Sequence, residues 1–432
     1  MKLAGTFICF LIFSSSSEMH PSSLRTTSDI VGRMSAAQGV TRERVAKLPA
    51  EERKAWAAYL DRSDSLKAAD KLALTRERQK LATIPPGPKH GSVNSIPLNK
   101  PDDWYRSAEA RKIADNIVSY QTPAGGWGKN QDRTAPPRVS GEFFVEIEDL
   151  PDFAREDIEG DSNWRYVGTI DNGATLTELR FLSKFQKQFP GTDGQRYRDS
   201  FLKGIEYLLG AQYPNGGWPQ IYPLQGGYHD AITFNDDAIG LTVELLEDVS
   251  QRKGEVGFVP KQLAAKAKAA SQNAIALILK TQVVIDGKRT LWGQQHDAFT
   301  LQPAGARSFE PAALSSDESS DLLLLLMRQP RPTKDMQTAI LEGVAWLRAR
   351  EIYGFEWKRN GELGRQLLAK EGSGPLWARF YDLKSFKPIF GDRDRNIRDN
   401  VNEVSLERRN GYSWFNTAPS KAIEAFDKWS HR

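Results

Sequence analysis

The chain has 432 residues, 39% of them hydrophobic, and a formal net charge of +4. The hydrophobic content is enough for a sizeable core and excludes an intrinsically disordered chain. A mildly basic surface favours polyanions, and nucleic acid and acidic polysaccharide both qualify, although no dense Lys/Arg run and no nucleic-acid-binding motif argues for nucleic acid.

Residues 1–20 have the pattern of a secretory signal peptide. Lys2 gives a short positive start, Leu3 to Phe13 are apolar, and the serines that follow are small enough for cleavage. The apolar stretch is too short to span a bilayer. We therefore expect a secreted protein, extracellular or periplasmic, with no membrane association in its mature form. The alternative is an ordinary buried N-terminal segment. Cys9 is the only cysteine, so the mature chain would have no cysteine nucleophile, cysteine–zinc site or disulfide.

Residues 21–95 differ in composition from the rest of the chain. They are rich in Ala, Lys, Arg and Glu, and Arg42 to Leu60 can form an amphipathic helix. A proline-rich break follows at residues 84–88. This pattern predicts an N-terminal extension with a linker, or a helix packed on the outside of a catalytic domain at 96–432.

From about residue 100 the apolar residues recur at helical spacing, and no strand-period segments of comparable length appear. Residues 174–187, 236–249 and 321–327 are more uniformly apolar, which predicts buried inner helices. The sequence therefore predicts an all-α fold.

An internal repeat connects these helices. Three predicted helices each end in a glutamine and lead into a glycine-bearing loop that presents a tryptophan. The repeats are Gln121 with Gly125-Gly126-Trp127, Gln212 with Gly216-Gly217-Trp218, and Gln282 with Leu291-Trp292-Gly293. This pattern fits helical hairpins arranged around a ring, with the inner helices starting at one mouth. The eleven tryptophans either pack in a core or stack on sugar rings, and the pattern leaves both open.

Polar residues cluster where the inner helices are predicted to start, at Asp171-Asn172, Asn235-Asp236-Asp237 and Ser315-Ser316-Asp317-Glu318. Asp, Asn and Ser are the preferred N-caps, and Ser315 with Glu318 fits a capping box, so capping alone can explain them. The alternative is a calcium site, because carboxylate and amide oxygens are ligands that Ca²⁺ prefers.

Other polar groups have two interpretations each. The pair His296-Asp297 is more typical of a structural role than of acid–base work, and no Ser or Cys nucleophile has a histidine partner. Arg307, Arg379 and Arg393 each lie beside aromatic or acidic residues. Because the guanidinium fork matches a carboxylate, these arginines suit a substrate with several carboxylates, and the alternative is salt bridges.

Taken in order, these segments resemble the family-ten pectate lyases from about residue 100 to 418. The motifs are Gln121–Asn130, Thr169–Thr175, Gly216–Pro223, Ile232–Ala238, Trp292–Asp297, Ala306-Arg307, Arg379–Leu383, Gly391–Asp394 and Arg408–Trp414. The resemblance implies an (α/α)₃ toroid-like barrel whose long loops form an open cleft. It also implies a Ca²⁺-dependent lyase that cuts polygalacturonate endo-wise by β-elimination, and we expect a monomer.

The resemblance also implies roles for single residues. Asp171 helps to bind calcium, with Asp236 in the same acidic cluster and Asn172 beside it. Arg307 is the proposed base, and Arg379 and Arg393 bind substrate carboxylates. Lys129, Asn235 and Asp297 lie in the same motifs and are assigned to substrate binding. Because arginine is normally never deprotonated, an arginine base predicts activity that rises toward alkaline pH.

The chain departs from the family pattern at two positions, Gly293, where another small residue such as Cys is expected, and Arg395, where Gly is usual.

Two other functions stay open. A glycoside hydrolase would use two carboxylic acids, for which Glu310 and Asp171 are the candidates. A non-catalytic protein would bind an acidic polysaccharide in the same cleft without cutting it.

Overall fold

The computed structural model describes residues 30–92, 95–146 and 164–429, so the predicted signal peptide at 1–20 lies outside it. The described part is mainly helical, as the sequence predicts. Its α-helices are α1 (Arg42–Ala46), α2 (Ala50–Arg78), α3 (Ala108–Ser119), α4 (Leu176–Lys187), α5 (Gln195–Ala211), α6 (Ala238–Gln251), α7 (Lys261–Thr281), α8 (Ser316–Arg328), α9 (Lys334–Arg348), α10 (Leu406–Gly411) and α11 (Ala418–Trp429). Among these described helices, none has the length and apolar character needed to span a membrane.

Successive helices pack on one another along the chain. Helix α4 packs on α3 and α5, α6 on α7, and α8 on α9 and α11. Most side chains of α4, α6 and α8 are buried, which confirms the prediction of buried helices near residues 174–187, 236–249 and 321–327. Their apolar surfaces form the main hydrophobic core.

The glutamine of each repeat ties the end of its helix to another helix further along the chain. The Gln121 side-chain amide donates to the Gly125 and Ser200 carbonyls at 2.8 and 2.9 Å. Gln212 makes the equivalent bonds to Gly216 and Ala270, and Gln282 makes them to Thr290 and Ala339. Each glutamine thus satisfies a loop carbonyl and a helix carbonyl, and the predicted repeat is confirmed.

The repeated tryptophans pack inside the protein. Trp127, Trp218 and Trp292 are fully buried, and each indole N–H donates to a carbonyl of the preceding helix at 2.6–2.7 Å. Trp377 is also fully buried and makes the same kind of bond to Leu347, although it is not part of the repeat seen in the sequence. Sugar stacking is therefore the wrong interpretation for these four tryptophans.

Short strands connect the loops that precede the buried helices, and sequence periodicity does not predict them. The antiparallel pairs are β2 (Ile232–Thr233) with β5 (Gln295–His296), β3 (Val284–Ile285) with β4 (Lys288–Arg289), β6 (Leu314–Ser315) with β10 (Phe380–Tyr381), β7 (Phe355–Arg359) with β8 (Arg365–Ala369), and β9 (Trp377–Ala378) with β13 (Phe415–Asn416). A three-stranded sheet has the order β1 (Ile30–Arg33), β12 (Asn396–Arg398), β11 (Phe390–Gly391). Of these strands, β2 and β6 lie directly before the starts of α6 and α8, and their pairing with β5 and β10 ties those starts to neighbouring loops.

The N-terminal region packs against the repeats. Trp56 on α2 is buried against Tyr213 and Phe299, with ring centroids 4.9 and 4.7 Å away. The Tyr59 hydroxyl donates to the Ala211 carbonyl at 2.9 Å. Side chains from both sides of residue 95 therefore share one core, and the domain division at that residue stays a prediction.

Substituting Trp218 with alanine is expected to lower the free energy of unfolding by about 3–5 kcal/mol, because a fully buried indole and its hydrogen bond to Leu208 are both lost. Denaturant titration followed by circular dichroism measures the change. Trp104→Ala is the control, since Trp104 is only partly buried and should lose less. Equal losses in the two variants would contradict a special role for the repeated tryptophan.

Candidate active site

The polar residues at the buried helix starts do not act as helix caps. Thr175, Asp237 and Ser315 occupy the N-cap positions of α4, α6 and α8, and none makes a side-chain cap hydrogen bond. The Ser315 hydroxyl bonds the Glu318 carboxylate instead of a backbone N–H. The capping interpretation is therefore wrong, and these carboxylates are available for other interactions.

Backbone conformation directs two of these residues out of the helices. Asn172 and Asp236 have φ values of 51° and 53°, inside short turns that precede α4 and α6. Asn and Asp tolerate this left-handed conformation better than other residues. Both residues are exposed, so their side chains reach solvent beside the buried Asp171.

Lys129 and Asp171 form the buried ion pair of the site. The Lys129 ammonium bonds Asp171 Oδ2, and Gln220 donates to Asp171 Oδ1 at 2.8 Å. Burial alone would raise the pKa of Asp171, but the lysine charge outweighs it and holds that pKa below its usual value. Asp171 is therefore an anion, and Lys129 stays a cation.

Asn235 connects the acidic side of the site to the basic side. Its amide nitrogen donates to Asp236 Oδ2 at 2.8 Å and lies 3.4 Å from Asp171 Oδ1. Its amide oxygen accepts from Gln294 at 2.9 Å and lies 3.4 Å from Arg379 Nη2. One amide thus places two carboxylates and one guanidinium within a few ångströms of each other.

The surroundings of Asp236 favour its protonated carboxyl, although the charges on Arg379 and Lys129 partly offset this effect. Although it reaches solvent, desolvation by its surroundings, together with the charges on Asp171 and Glu318, raises the pKa of Asp236 to about 7. Such a carboxylate favours a cation or a proton beside it.

Arg379 is held by acidic residues at the start of α8. Its guanidinium bonds Glu318 and lies 3.5 Å from Asp317. Its central carbon also lies 4.9 Å from the centre of the Tyr412 ring. These partners occupy some of the guanidinium N–H groups that a substrate carboxylate would need. They also fix Arg379 beside Asn235.

Arg307 lies at the end of the same network. Its Nε and Nη2 atoms donate to Glu310 at 2.8 and 2.6 Å, and the Tyr412 hydroxyl donates to Glu310 at 2.9 Å. Desolvation would lower the pKa of Arg307, but the Glu310 charge raises it well above the ordinary value. The side chain remains 41% exposed, so its positive charge faces solvent.

Three guanidinium groups surround the buried ring of Phe309. Arg307, Arg393 and Arg408 have their central carbons 4.8, 4.7 and 4.4 Å from its centre. The ring therefore brings the predicted substrate-binding Arg393 beside the predicted base.

Sequence reasoning misses Arg408, Gln220, Gln294 and Tyr412, because single polar residues inside motifs give no signal of their own.

Asp297 does not join this cluster. Its carboxylate accepts from Arg44 at 2.6 Å and from the backbone N–H groups of Phe299 and Thr300, and no described contact connects it with Asp171 or Arg379. Neighbouring His296 is fully buried between Gly293 and Leu301, and burial lowers its pKa to about 4. This confirms the structural interpretation of the histidine. The assignment of Asp297 to substrate binding gains no support from these contacts.

The oxygen-bearing side chains of the site show whether calcium would fit there. Within the described ranges, no three Asp, Glu, His or Cys side chains are close enough to hold a metal ion unaided. Asp171 and Asp236 nevertheless share the Asn235 amide, and desolvation with the charges on Asp171 and Glu318 outweighs the nearby cations, so that the pKa of Asp236 is raised to about 7. Ca²⁺ takes six to eight oxygens, so these residues fit a calcium site that substrate oxygens complete and do not fit a self-contained one.

Comparison with known proteins identifies the family of the chain. A family model described as pectic acid lyase matches residues 121–423. A family 10 polysaccharide lyase from Cellvibrio cellulosa is 31% identical with a TM-score of 0.64, covering 79% of this chain and 98% of that one. An Asp-to-Ala mutant from the same organism, in complex with trigalacturonic acid, is 30% identical with a TM-score of 0.63, covering 79% and 99%. A search of curated proteins gives no match. The chain therefore belongs to the pectic acid lyase family and is a family 10 polysaccharide lyase.

Proposed function

We propose that this polysaccharide lyase is a pectate lyase that cuts α-1,4-linked polygalacturonate endo-wise by Ca²⁺-assisted β-elimination. The products are 4,5-unsaturated oligogalacturonides. The observation that carries the proposal is the network in which Asn235 joins the carboxylates of Asp171 and Asp236 to Arg379. It supports the proposal because a uronate substrate has a carboxylate to be neutralised and a neighbouring carbon to be deprotonated.

The chemistry requires removal of the proton on C5 of a galacturonate residue. Asp171, Asp236 and Asn172 are the residues that would hold calcium. When bound, calcium withdraws electron density from the substrate carboxylate and makes the C5 proton more acidic. Arg379 supplies a fixed positive charge near the carbon on which negative charge develops.

Arg307 is the proposed base, and its ion pair with Glu310 sets a condition on that role. A base must reach the C5 proton and must be neutral before it accepts the proton. As long as Glu310 holds two of its nitrogens, Arg307 remains a cation. The base role therefore requires that substrate binding weakens this pair, and it predicts greater activity at alkaline pH.

Further expectations complete the proposal. We propose that the paired helices form an (α/α)₃ toroid-like barrel whose long loops border an open cleft, which would admit the middle of a polymer and allow endo cleavage. Arg393 and Lys129 would bind carboxylates along that cleft. Secretion to the periplasm or the medium, and a monomeric state, are parts of the same proposal.

A glycoside hydrolase is disfavoured by the state of its candidate acid. A general acid must hold a proton near neutral pH. Burial would raise the pKa of Glu310, but the charge and hydrogen bonds of Arg307 lower it to about 2. Glu310 is thus ionised at every pH at which the enzyme would work, and it cannot donate the proton to a leaving group.

An absorbance assay tests the proposed function. Purified protein is mixed with polygalacturonate at alkaline pH, and the ultraviolet absorbance of the conjugated unsaturated product is followed with calcium and then with excess chelator. We expect a rise that needs calcium and stops in chelator. New reducing ends without absorbance, surviving the chelator, would mean hydrolysis. Binding with neither signal would mean a non-catalytic protein or a lyase for another uronate.

A further inference from the structure

Residues 30–40, which we call the brace, precede the family-matched region and run across three loops of the site. The first contact is with the loop that carries Arg393. Strand β1 pairs with β12, and the Met34 N–H donates to the Arg395 carbonyl at 2.7 Å. Arg395 has a φ of 65°, a conformation that a long side chain adopts only under constraint. The brace supplies one such constraint two residues from Arg393.

The second contact is with the loop that carries Arg307. A methyl group added to Gly305 would lie 2.8 Å from the Ser35 carbonyl oxygen and 3.3 Å from the Met34 side chain. The backbone of the brace and the backbone of the loop are therefore in direct contact, two residues before Arg307. Such close packing transmits any shift of the brace to the loop.

The third contact is with the loop that lies beside Lys129. The Val40 N–H donates to Asp230 Oδ2 at 3.0 Å. Next to Asp230, the His229 ring nitrogen lies 3.3 Å from the Tyr166 hydroxyl. The Tyr166 ring in turn lies 3.7 Å from the Lys129 ammonium. The brace thus reaches Lys129 through Asp230, its neighbour His229, and Tyr166, which packs against His229.

We propose that the brace positions Arg393, Arg307 and Lys129 relative to one another, and so sets the rate of the elimination reaction. This inference rests on the proposed function, since the three residues are among its cationic groups. The brace touches no substrate itself and acts only through the three loops. Misplacement of catalytic groups by about 1 Å can slow a reaction up to a hundredfold, so loosening one contact is expected to lower kcat about tenfold.

The first test is Met34→Pro in the full chain, which removes the N–H that bonds Arg395. Arg33 is in a strand, the conformation that a following proline favours. Ala36→Pro is the control, because within the described chain the exposed Ala36 N–H bonds nothing. We expect kcat to fall about tenfold in Met34→Pro only, with faster amide hydrogen exchange in residues 305–310 and 391–398. The thermal midpoint should stay within a few degrees.

The second test compares two glycine substitutions in the brace. A methyl group on Gly39 would lie 2.9 Å from the Gly227 nitrogen, whereas one on Gly32 would meet only the Ile397 side chain at 3.4 Å. Gly39→Ala should lower kcat, and Gly32→Ala should not. Unchanged kinetics in Met34→Pro and Gly39→Ala, in a preparation whose parent is active, would overturn the inference. A loss of kcat equal to the loss in the control variants would also overturn it. So would a loss of kcat that is proportional to the loss of thermal stability. An inactive parent would instead count against the proposed function, and the exchange data would still show whether the brace holds the loops.

Discussion

Arg307→Ala should lower kcat for polygalacturonate cleavage by about a thousandfold, because the change removes both the proposed base and a cation beside the developing charge. The assay is the initial rate of ultraviolet absorbance increase at saturating calcium. Arg348→Ala is the matched control. Its guanidinium pairs with Asp427 on the protein surface, and its loss should leave kcat unchanged. Activity within tenfold of the parent in Arg307→Ala would contradict a catalytic role for this arginine.

The pH profile separates the two roles that Arg307 can have. The Glu310 charge raises the pKa of Arg307, so Glu310→Gln should lower that pKa and increase the neutral fraction at a given pH. If Arg307 is the base, the alkaline rise in kcat should move to lower pH in Glu310→Gln. A loss of activity with no shift, or a flat profile in the parent, would mean that Arg307 acts only as a cation.

Local sequence signals predict the helices and the repeat. Gln121 and Trp127 interact with groups in their own helix, its loop or the adjacent helix, so a pattern that recurs along the chain is enough to reveal them. The motifs also contain the candidate site residues Asp171, Asn235 and Arg379. What motifs do not reveal is the partner of each residue.

Long-range contacts and backbone conformation account for the rest. Arg44 and Asp297 are 253 residues apart in sequence, so no local pattern predicts their ion pair. The capping interpretation fails because positive-φ turns at Asn172 and Asp236 precede the helices, and composition does not distinguish such turns from caps. The backbone conformation at Arg395 is likewise not predictable from composition. Its φ of 65° explains why glycine is expected at that position.

Asp236→Asn is expected to have opposite effects on activity and on stability. Asparagine has nearly the same shape and tolerates the φ of 53° at this position, so the fold should be preserved. Loss of the charge removes one of the two carboxylates proposed to hold calcium. We expect the calcium concentration for half-maximal activity to rise at least about tenfold, since one lost interaction of 1.4 kcal/mol already has this effect. An unchanged calcium requirement would exclude Asp236 as a ligand.

The stability effect follows from the sign of the pKa shift. The folded protein raises the pKa of Asp236 to about 7, from 3.8, so the folded state binds the proton more tightly than the unfolded state does. The charged carboxylate therefore destabilises the fold increasingly as pH rises from about 4 to about 7, and fully above that. Because Asp236 is exposed, solvent screens most of this effect. In calcium-free buffer at pH 8, Asp236→Asn should therefore raise the thermal midpoint by only roughly 1–2 °C, and the difference should vanish near pH 4. Calcium with substrate should remove the advantage, because the parent's charged carboxylate would then lie beside the bound calcium ion. A variant less stable than its parent at pH 8 would mean that Asp236 is neutralised within the protein, and that the acidic pair is no cation site.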